Sequence, residues 1–330
     1  MRHKPTKREK YQKRLKKIRQ RNDILELRPY SKGESGLVSC VIYTYNRAAI
    51  LSRAIRSVLN QTYQNFELII SDDCSSDNTE EVVLNFTDPR IKYFRNEKNV
   101  GSSINKIIGI SKTAGRYIVI LDDDNEFAPT FFEKSIALLG NSSKKVGGIR
   151  VGRVIIQDGY KDYAPVHTGL FDSIDWGFMM KREVFNKVQY DPLCRGDEDA
   201  DFGIQFAKHF RSLSIEEPLT ICHAAEEKSN CTPTIKRLSG LEYFIGKNLD
   251  YYKQDKNELR YLYRLAGRNF YSGGYKLKGL KYFWLSFMAL PNWRTFKHLF
   301  FILFGWRVYD WYMDSQERRA ARERLKRYAI

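Results

Sequence analysis

From Leu37 onward, short apolar runs alternate with amphipathic stretches, and this alternation constrains the fold more than any other feature. The runs LVSCVIY (37–43), FELIISD (66–72), IKYFR (91–95) and RYIVILD (116–122) read as strands. Residues 48–60, 78–86 and 100–114 read as helices between them, the second introduced by the capping-type run SSDNT. Strands that are apolar almost throughout are buried on both faces, and parallel neighbours need helical crossovers. The expectation is an α/β fold with a mostly parallel, Rossmann-like sheet flanked by helices, binding ligands beyond the carboxyl ends of its strands.

The pattern continues with a helix over 129–140, one or two strands over 146–157, and an extended approach, FDSIDWGFMM (171–180), to a helix near 181–188. An amphipathic helix with an acidic start (197–210) and a last strand (214–223) follow. Beyond 232 only helices are expected: 234–253, 257–271, 275–290 and a basic helical tail to about 327. The chain thus divides into a basic N-terminal arm and linker (1–36), an α/β domain (37–230) and an α-helical C-terminal region (231–330).

The formal charge of +17 follows the same division. Residues 1–32 carry 13 Lys/Arg against 3 Asp/Glu, residues 33–230 carry 23 against 28, and residues 231–330 carry 20 against 8. A nucleic-acid enzyme lines its central cleft with cations, so an acidic middle argues against that class of partner. Basic ends suit an anionic membrane surface, and an acidic core suits a metal-bound nucleotide. The five cysteines form no C-x-x-C pair, which speaks for a reducing compartment and against a disulfide framework or a structural zinc. The first twenty residues contain no apolar h-region, and no run of eighteen apolar residues occurs.

Four polar clusters carry chemistry. Thr44, Tyr45, Asn46 and Arg47 follow the first strand, where N–H groups at a helix start and a cation favour an anion. Asp72 and Asp73 end the second strand, and Asp73 can accept from a base-ring N–H, while Ser75, Ser76 and Asp77 are placed to cap. Asp122, Asp123 and Asp124 leave a buried strand together, and hard oxygen ligands so crowded suit Mg²⁺ or Mn²⁺. If the strand stays extended, Asp122 and Asp124 share a face and Asp123 takes the other. GDEDADF (196–202) opens a helix with four acids, more than the helix dipole asks for, and one of them can serve as a general base. Trp176 is a candidate stacking platform or a core residue, and His223 a candidate metal contact or a structural residue. In the tail, Trp284, Trp293, Trp306 and Trp311 among Lys and Arg form the mixture of an interfacial helix, with burial against the preceding helices as the alternative.

In that order, VSCVIYTYNR, SVLNQTYQNFELIISDD, SSDNT, RIKYFRNEKNVGSSINKIIGISKTAGRYIVILDDDN, WGFMMKREVF and GDEDADF resemble the family 2 glycosyltransferases over roughly 37–230. The resemblance implies a GT-A fold and inverting transfer of a sugar from a nucleotide donor. It implies that Thr44, Tyr45, Asn46, Arg47 and Asp73 surround the nucleoside, with Asp73 on the uracil edge, and that Gly101 and Asn105 pack beside the nucleotide. Asp122 and Asp124 resemble the D-x-D pair, with Asp124 the direct metal ligand and Asp123 a contact to ribose or sugar hydroxyls. Asp199 resembles the base that deprotonates the acceptor, with Asp197, Glu198 and Asp201 as competitors. Cys74 stands where the family often has Gly, and Asn125 where it often has a further Asp.

The expected function is transfer of a single sugar from a UDP-sugar, with Mn²⁺ or Mg²⁺, to a glycan or lipid-linked oligosaccharide in cell-surface polysaccharide biosynthesis. The enzyme would sit in the cytoplasm, peripherally on the inner face of the membrane. A polyprenyl-phosphate sugar transferase and a non-catalytic basic membrane or nucleic-acid adaptor are the rivals.

Overall fold

The computed structural model describes residues 33–157, 160–164, 166, 177–224 and 235–293, with positions 296, 299, 300, 308 and 311. The basic N-terminal arm up to residue 32, Trp176, Trp306, Cys231 and the basic tail beyond 311 lie outside the described residues. The chain divides into two units. The first comprises residues up to Val151, Trp176–Gln189 and His209–Thr220, and the second Gly152–Asp175, Tyr190–Lys208 and Ile221–Ile330.

In the first unit, β1 (Glu34–Thr44), α1 (Ala48–Leu59), β2 (Phe66–Asp72), α2 (Thr79–Leu84), β3 (Ile91–Arg95), α3 (Ser102–Ser111) and β4 (Gly115–Asp122) follow the expected alternation. Every residue of β2 is buried, as is the run Val38–Ile42 of β1, so both strands lie between covering helices. On α1, Ala48, Leu51, Ala54, Ile55 and Val58 recur at helical spacing and are buried against that sheet. Each fully buried Leu or Ile in such a layer contributes about 1.5–3 kcal/mol. The strands β3-β2-β1-β4 pair in parallel. Strand order therefore grows from β1 to one side and then reverses to place β4 on the other, which opens a crevice at the carboxyl ends of β1 and β4.

Beyond β4 the structure departs from the expected reading. The acidic run does not stay extended: β4 ends at Asp122, Asp123 and Asp124 form a turn, and a short strand β5 (Asn125–Phe127) follows. The face-sharing argument for Asp122 and Asp124 fails because the turn breaks the strand period. After α4 (Phe131–Gly140), residues 146–157 form one strand, β6 (Val146–Gln157). Strand β7 (Tyr160–Ala164) pairs antiparallel with it in the second unit. Strand β8 (Met179–Lys181) is antiparallel to both β4 and β6, so the sheet is mixed, in the order β3-β2-β1-β4-β8-β6-β9-β5 with β9 spanning Arg211–Ala224. The helix expected near 181–188 is a 3₁₀ turn, Arg182–Asn186. Arg182 anchors it, its buried guanidinium donating to the Gly115 carbonyl at 2.5 Å and to Thr113 Oγ1 at 2.8 Å.

The second unit contains α5 (Glu198–His209), α6 (Ile235–Tyr252), α7 (Lys256–Ser272) and α8 (Lys276–Ala289). Its core gathers Leu238, Leu241, Phe244, Ile245, Leu262, Ala266, Phe270 and Tyr282. Gly267 is the close-approach point between α7 and α8, since a Cβ there would meet the Phe283 ring at 2.8 Å. Helix α8 buries Gly279, Tyr282, Phe283 and Ser286 and exposes Leu277, Lys281, Trp284 and Met288, which fall along one line at helical spacing. Trp284 is 54% exposed. An aromatic chain continues from it through Phe287 (6.1 Å), Phe296 (6.5 Å) and Phe300 (6.1 Å), with Trp293 stacked on Phe296 at 5.3 Å. Among the described residues no helix is long and apolar enough to cross a membrane.

Candidate active site

Register places the acids. Tyr43 of β1 lies opposite Asp122 of β4, and Thr44 opposite Asp72 of β2, so three strand ends meet at the crevice. Tyr43 donates its hydroxyl to Asp122 at 2.5 Å, and Thr44 donates to Asp123 at 2.7 Å. Lys106 of α3 is buried with its ammonium 4.7 Å over the Tyr43 ring. Burial pushes the Asp123 carboxyl up to about 7, against the Thr44 hydroxyl and the Arg47 charge and with the charges of Asp124 and Asp122. Burial and then the Asp122 charge raise Asp124 as well, while Arg47 and Arg53 oppose the rise. A divalent cation among these oxygens would relieve both the desolvation and the repulsion, so the donor set fits Mg²⁺ or Mn²⁺.

The neighbouring candidates hold one another. Asp73, 2% exposed, accepts from the Val100 and Gly101 N–H groups at 2.7 Å each and from Asn96 Nδ2 at 3.1 Å. Gly101 has φ of +92°, which L side chains rarely adopt, and turns the chain into α3. Burial raises the Asp73 carboxyl, and those three donors work against it. Asn105 is buried and donates to the Ser71 carbonyl at 2.8 Å, while its Oδ1 accepts from Ser71 Oγ at 2.6 Å and Asn96 Nδ2 at 3.0 Å. Asn46 Oδ1 accepts from the Ser76 N–H at 2.7 Å, and Ser75 Oγ accepts from the Asn46 N–H at 2.9 Å. Tyr45 projects into solvent and Arg47 is half-buried. In the structure, then, Asp73 and Asn105 tie α3 and the 96–101 loop to the strand ends, and Asn46 ties the first turn to the second.

Two substitutions test this frame. Asn105→Leu leaves the buried Ser71 hydroxyl and carbonyl without that amide and is expected to cost ~3 kcal/mol in urea unfolding. Cys74 sits at φ +66°, a left-handed conformation that costs a residue with a Cβ roughly 1–2 kcal/mol. Cys74→Gly is expected to stabilise the protein by about 0.5–1 kcal/mol, read as a higher Tm, because relief of strain exceeds glycine's entropic cost.

Sequence reasoning named Asp72 and Asp77 and missed their long-range partners. Asp72 is fully buried and accepts from the Ser75 N–H at 2.9 Å and the Tyr93 hydroxyl at 2.6 Å. Asp77 accepts from the Ala48 N–H at 3.1 Å, so it serves the start of α1 as well as its own turn. Tyr43 and Lys106 also went unmarked, and the only signal for them was position, one residue before Thr44 and one after Asn105.

Asp199 and His223 belong to the second unit, Asp199 half-buried in the first turn of α5 and His223 half-buried near the end of β9. Its neighbours have other partners. Glu198 accepts from the Gly196 N–H at 2.5 Å, and Asp201, fully buried, accepts from Lys247 at 2.7 Å and Asn248 at 2.9 Å. Asp191, Cys194 and Asp201 lie close enough to share a cation, and Lys247, which also reaches Asp191 at 2.8 Å, already supplies that charge.

The sequence model of glycosyl transferase family 2 matches residues 39–194. Over these residues, a little under half of the chain, the sequence resembles that family. WcaA of Escherichia coli K12, named a colanic acid biosynthesis glycosyl transferase, is 26% identical over 280 residues, covering 80% of this chain and 96% of its own. WfgD of Escherichia coli, named a β-1,3-glucosyltransferase using UDP-Glc and GlcNAc-diphosphoundecaprenol, is 40% identical over 103 residues, 31% of this chain and 41% of its own. That match covers less than half of WfgD. The mannosyltransferase PcManGT of Pyrobaculum calidifontis, solved with GDP-Man and Mn²⁺, shares the fold at a TM-score of 0.53 and 17% identity, over 88% of this chain and 86% of its own. The chain therefore has the GT-A architecture expected of it.

Proposed function

We propose that the protein is an inverting, metal-dependent glycosyltransferase that moves one sugar from a UDP-sugar to a hydroxyl of a lipid-linked oligosaccharide in cell-surface polysaccharide assembly. Residues 37–230 would be its catalytic domain and 231–330 its membrane-associating region. The observation that carries this reading is the acidic turn at the switch point, where Asp122, Asp123 and Asp124 leave β4 together, Tyr43 and Thr44 hold two of the carboxylates, and burial lifts Asp123 to about 7. WfgD's named donor and lipid-diphosphate acceptor, the colanic acid assignment of WcaA, and the Mn²⁺ of PcManGT support the choice of donor, acceptor and metal.

In this reading Asp124 is the direct metal ligand, beside Asp122, and Asp123 faces ribose or sugar hydroxyls. The cation, when bound, neutralises the diphosphate leaving group. Tyr43 and Thr44 fix the carboxylates of Asp122 and Asp123 before the donor arrives, so no reorganisation is needed at the reacting moment. Arg47 adds a positive charge beside the turn, and Asp73, through Gly101, shapes the loop that leads into α3. Asp199 takes the proton from the attacking acceptor hydroxyl. A panel of UDP-sugars with an undecaprenyl-diphosphate oligosaccharide, in Mn²⁺ and in EDTA, tests the proposal. Mn²⁺-dependent release of UDP with formation of a β- or α-linked product inverted relative to the donor is expected, and no release from any donor would overturn it.

The exposed face of α8 and its aromatic continuation would dock on the inner face of the membrane, where Trp284 and Trp293 suit the headgroup boundary and the cationic excess of 231–330 suits anionic lipid. Co-sedimentation with phosphatidylglycerol vesicles is expected at low salt, and binding should fall at least ~10-fold in a Trp284→Ala/Trp293→Ala double variant. Equal binding by that variant, or equal binding to phosphatidylcholine, would contradict the docking face.

A further inference from the structure

The helical unit contains a cavity of about 500 Å³ that the donor chemistry does not use. Its buried end is made by Phe244, Tyr252 and Leu262, each no more than 2% exposed. Asp197 reaches it from just before α5, and Asn257, Glu258, Arg260 and Tyr261 reach it from α7. The volume falls within the ~300–1,000 Å³ typical of small-ligand pockets.

The lining selects among ligands. Two residues that carry carboxylates and one that carries a guanidinium line the cavity, so it does not attract a diphosphate. Three ionisable groups in so small a space also disfavour a hydrocarbon chain, whose burial would strip them of water. Rings combined with carboxylates and an amide suit a pyranose, which has apolar C–H faces and a girdle of hydroxyls that both donate and accept. Tyr261 is 43% exposed, and Arg264, 5.2 Å from its ring centre, covers one face and holds it in place. Burial lifts the Asp197 carboxyl to about 7, the Arg237 charge opposing and Glu198 and Asp199 adding to the rise. Near neutral pH that group can therefore either donate to or accept from a hydroxyl.

Location supplies the role. Asp197 stands two residues before Asp199, at the same helix start. We propose that this cavity is the subsite for a pyranose of the acceptor glycan, with Tyr261 as its platform and Asp197 and Glu258 as its hydroxyl partners. The inference rests on the reading of Asp199 as the base of a glycosyltransferase.

Saturation-transfer NMR on the full chain, with methyl glycosides of glucose, galactose, N-acetylglucosamine and N-acetylgalactosamine at millimolar concentration, tests it. At least one glycoside should receive saturation, and its Kd should rise at least ~5-fold in Tyr261→Ala and in Glu258→Gln, about 1 kcal/mol. Mn²⁺-UDP affinity, measured on the same samples, should be unchanged in both variants, which also shows that they are folded. Silence from every glycoside, or an unchanged Kd in both variants, overturns the subsite while leaving the donor reading intact if UDP still binds. Failure of UDP to bind the unaltered protein would instead remove the reading on which the subsite depends.

Discussion

Asp124→Ala is expected to lower kcat/KM for sugar transfer on the order of a thousandfold while leaving the protein folded and no less stable. The two halves of that result have one cause. Burial and the neighbouring Asp122 charge raise the Asp124 carboxyl, so in the absence of a cation its ionised form is a strain on the folded state. Removing it relieves that strain, and the Tm without metal should stay level or rise. A cation polarising the diphosphate supplies several kcal/mol of charge stabilisation in the transition state, and about 4 kcal/mol corresponds to roughly a thousandfold in rate. A residue needed only for packing would show the opposite pattern, lower Tm with activity preserved in the surviving fraction. Steady-state UDP release at saturating Mn²⁺, beside a thermal melt in EDTA, separates the two.

Asp199→Asn is expected to keep donor affinity and lose about 10²- to 10⁴-fold in kcat, the usual contribution of a positioned general base. The substitution preserves shape and removes the negative charge, and with it the capacity to take a proton. Among its neighbours, Asp201 is committed to Lys247 and Asn248, and Glu198 to the Gly196 N–H. Asp201→Asn should therefore act mainly on stability, since it weakens one of the two carboxylates that hold Lys247. A pre-steady-state measurement of transfer on enzyme preloaded with donor shows whether the loss lies in the chemical step.

What could be read from the sequence, and what could not, follows from the range of the interactions. The parallel half of the sheet was legible because β1, β2 and β4 are buried on both faces and must be apolar along their length. The helix α1 between β1 and β2 repeats its apolar residues at the helical period. The antiparallel half was not, because a three-residue strand such as Met179–Lys181 or Asn125–Phe127 carries no period of its own and exists through partners far away in the chain. The same reason explains the site. The acids were visible as a cluster at a strand end, but their partners were not: Tyr43 reaches Asp122 across 79 positions, and the Gly101 N–H reaches Asp73 across 28. Asp73 and Asn105 were singled out for a nucleotide, and the structure adds that they organise the loop leading into α3. Cys74 illustrates a local rule broken in the sequence itself, a residue with a Cβ at a positive φ that glycine adopts more readily.

The central claim is that the acidic turn binds a nucleotide diphosphate through a divalent cation. Calorimetric titration of UDP into the unaltered protein tests it most directly, once in Mn²⁺ and once in EDTA, with Asp124→Ala in parallel. The account predicts measurable affinity in Mn²⁺ that disappears in EDTA and in the variant. Equal affinity with and without the metal, or unchanged affinity in Asp124→Ala, would contradict it.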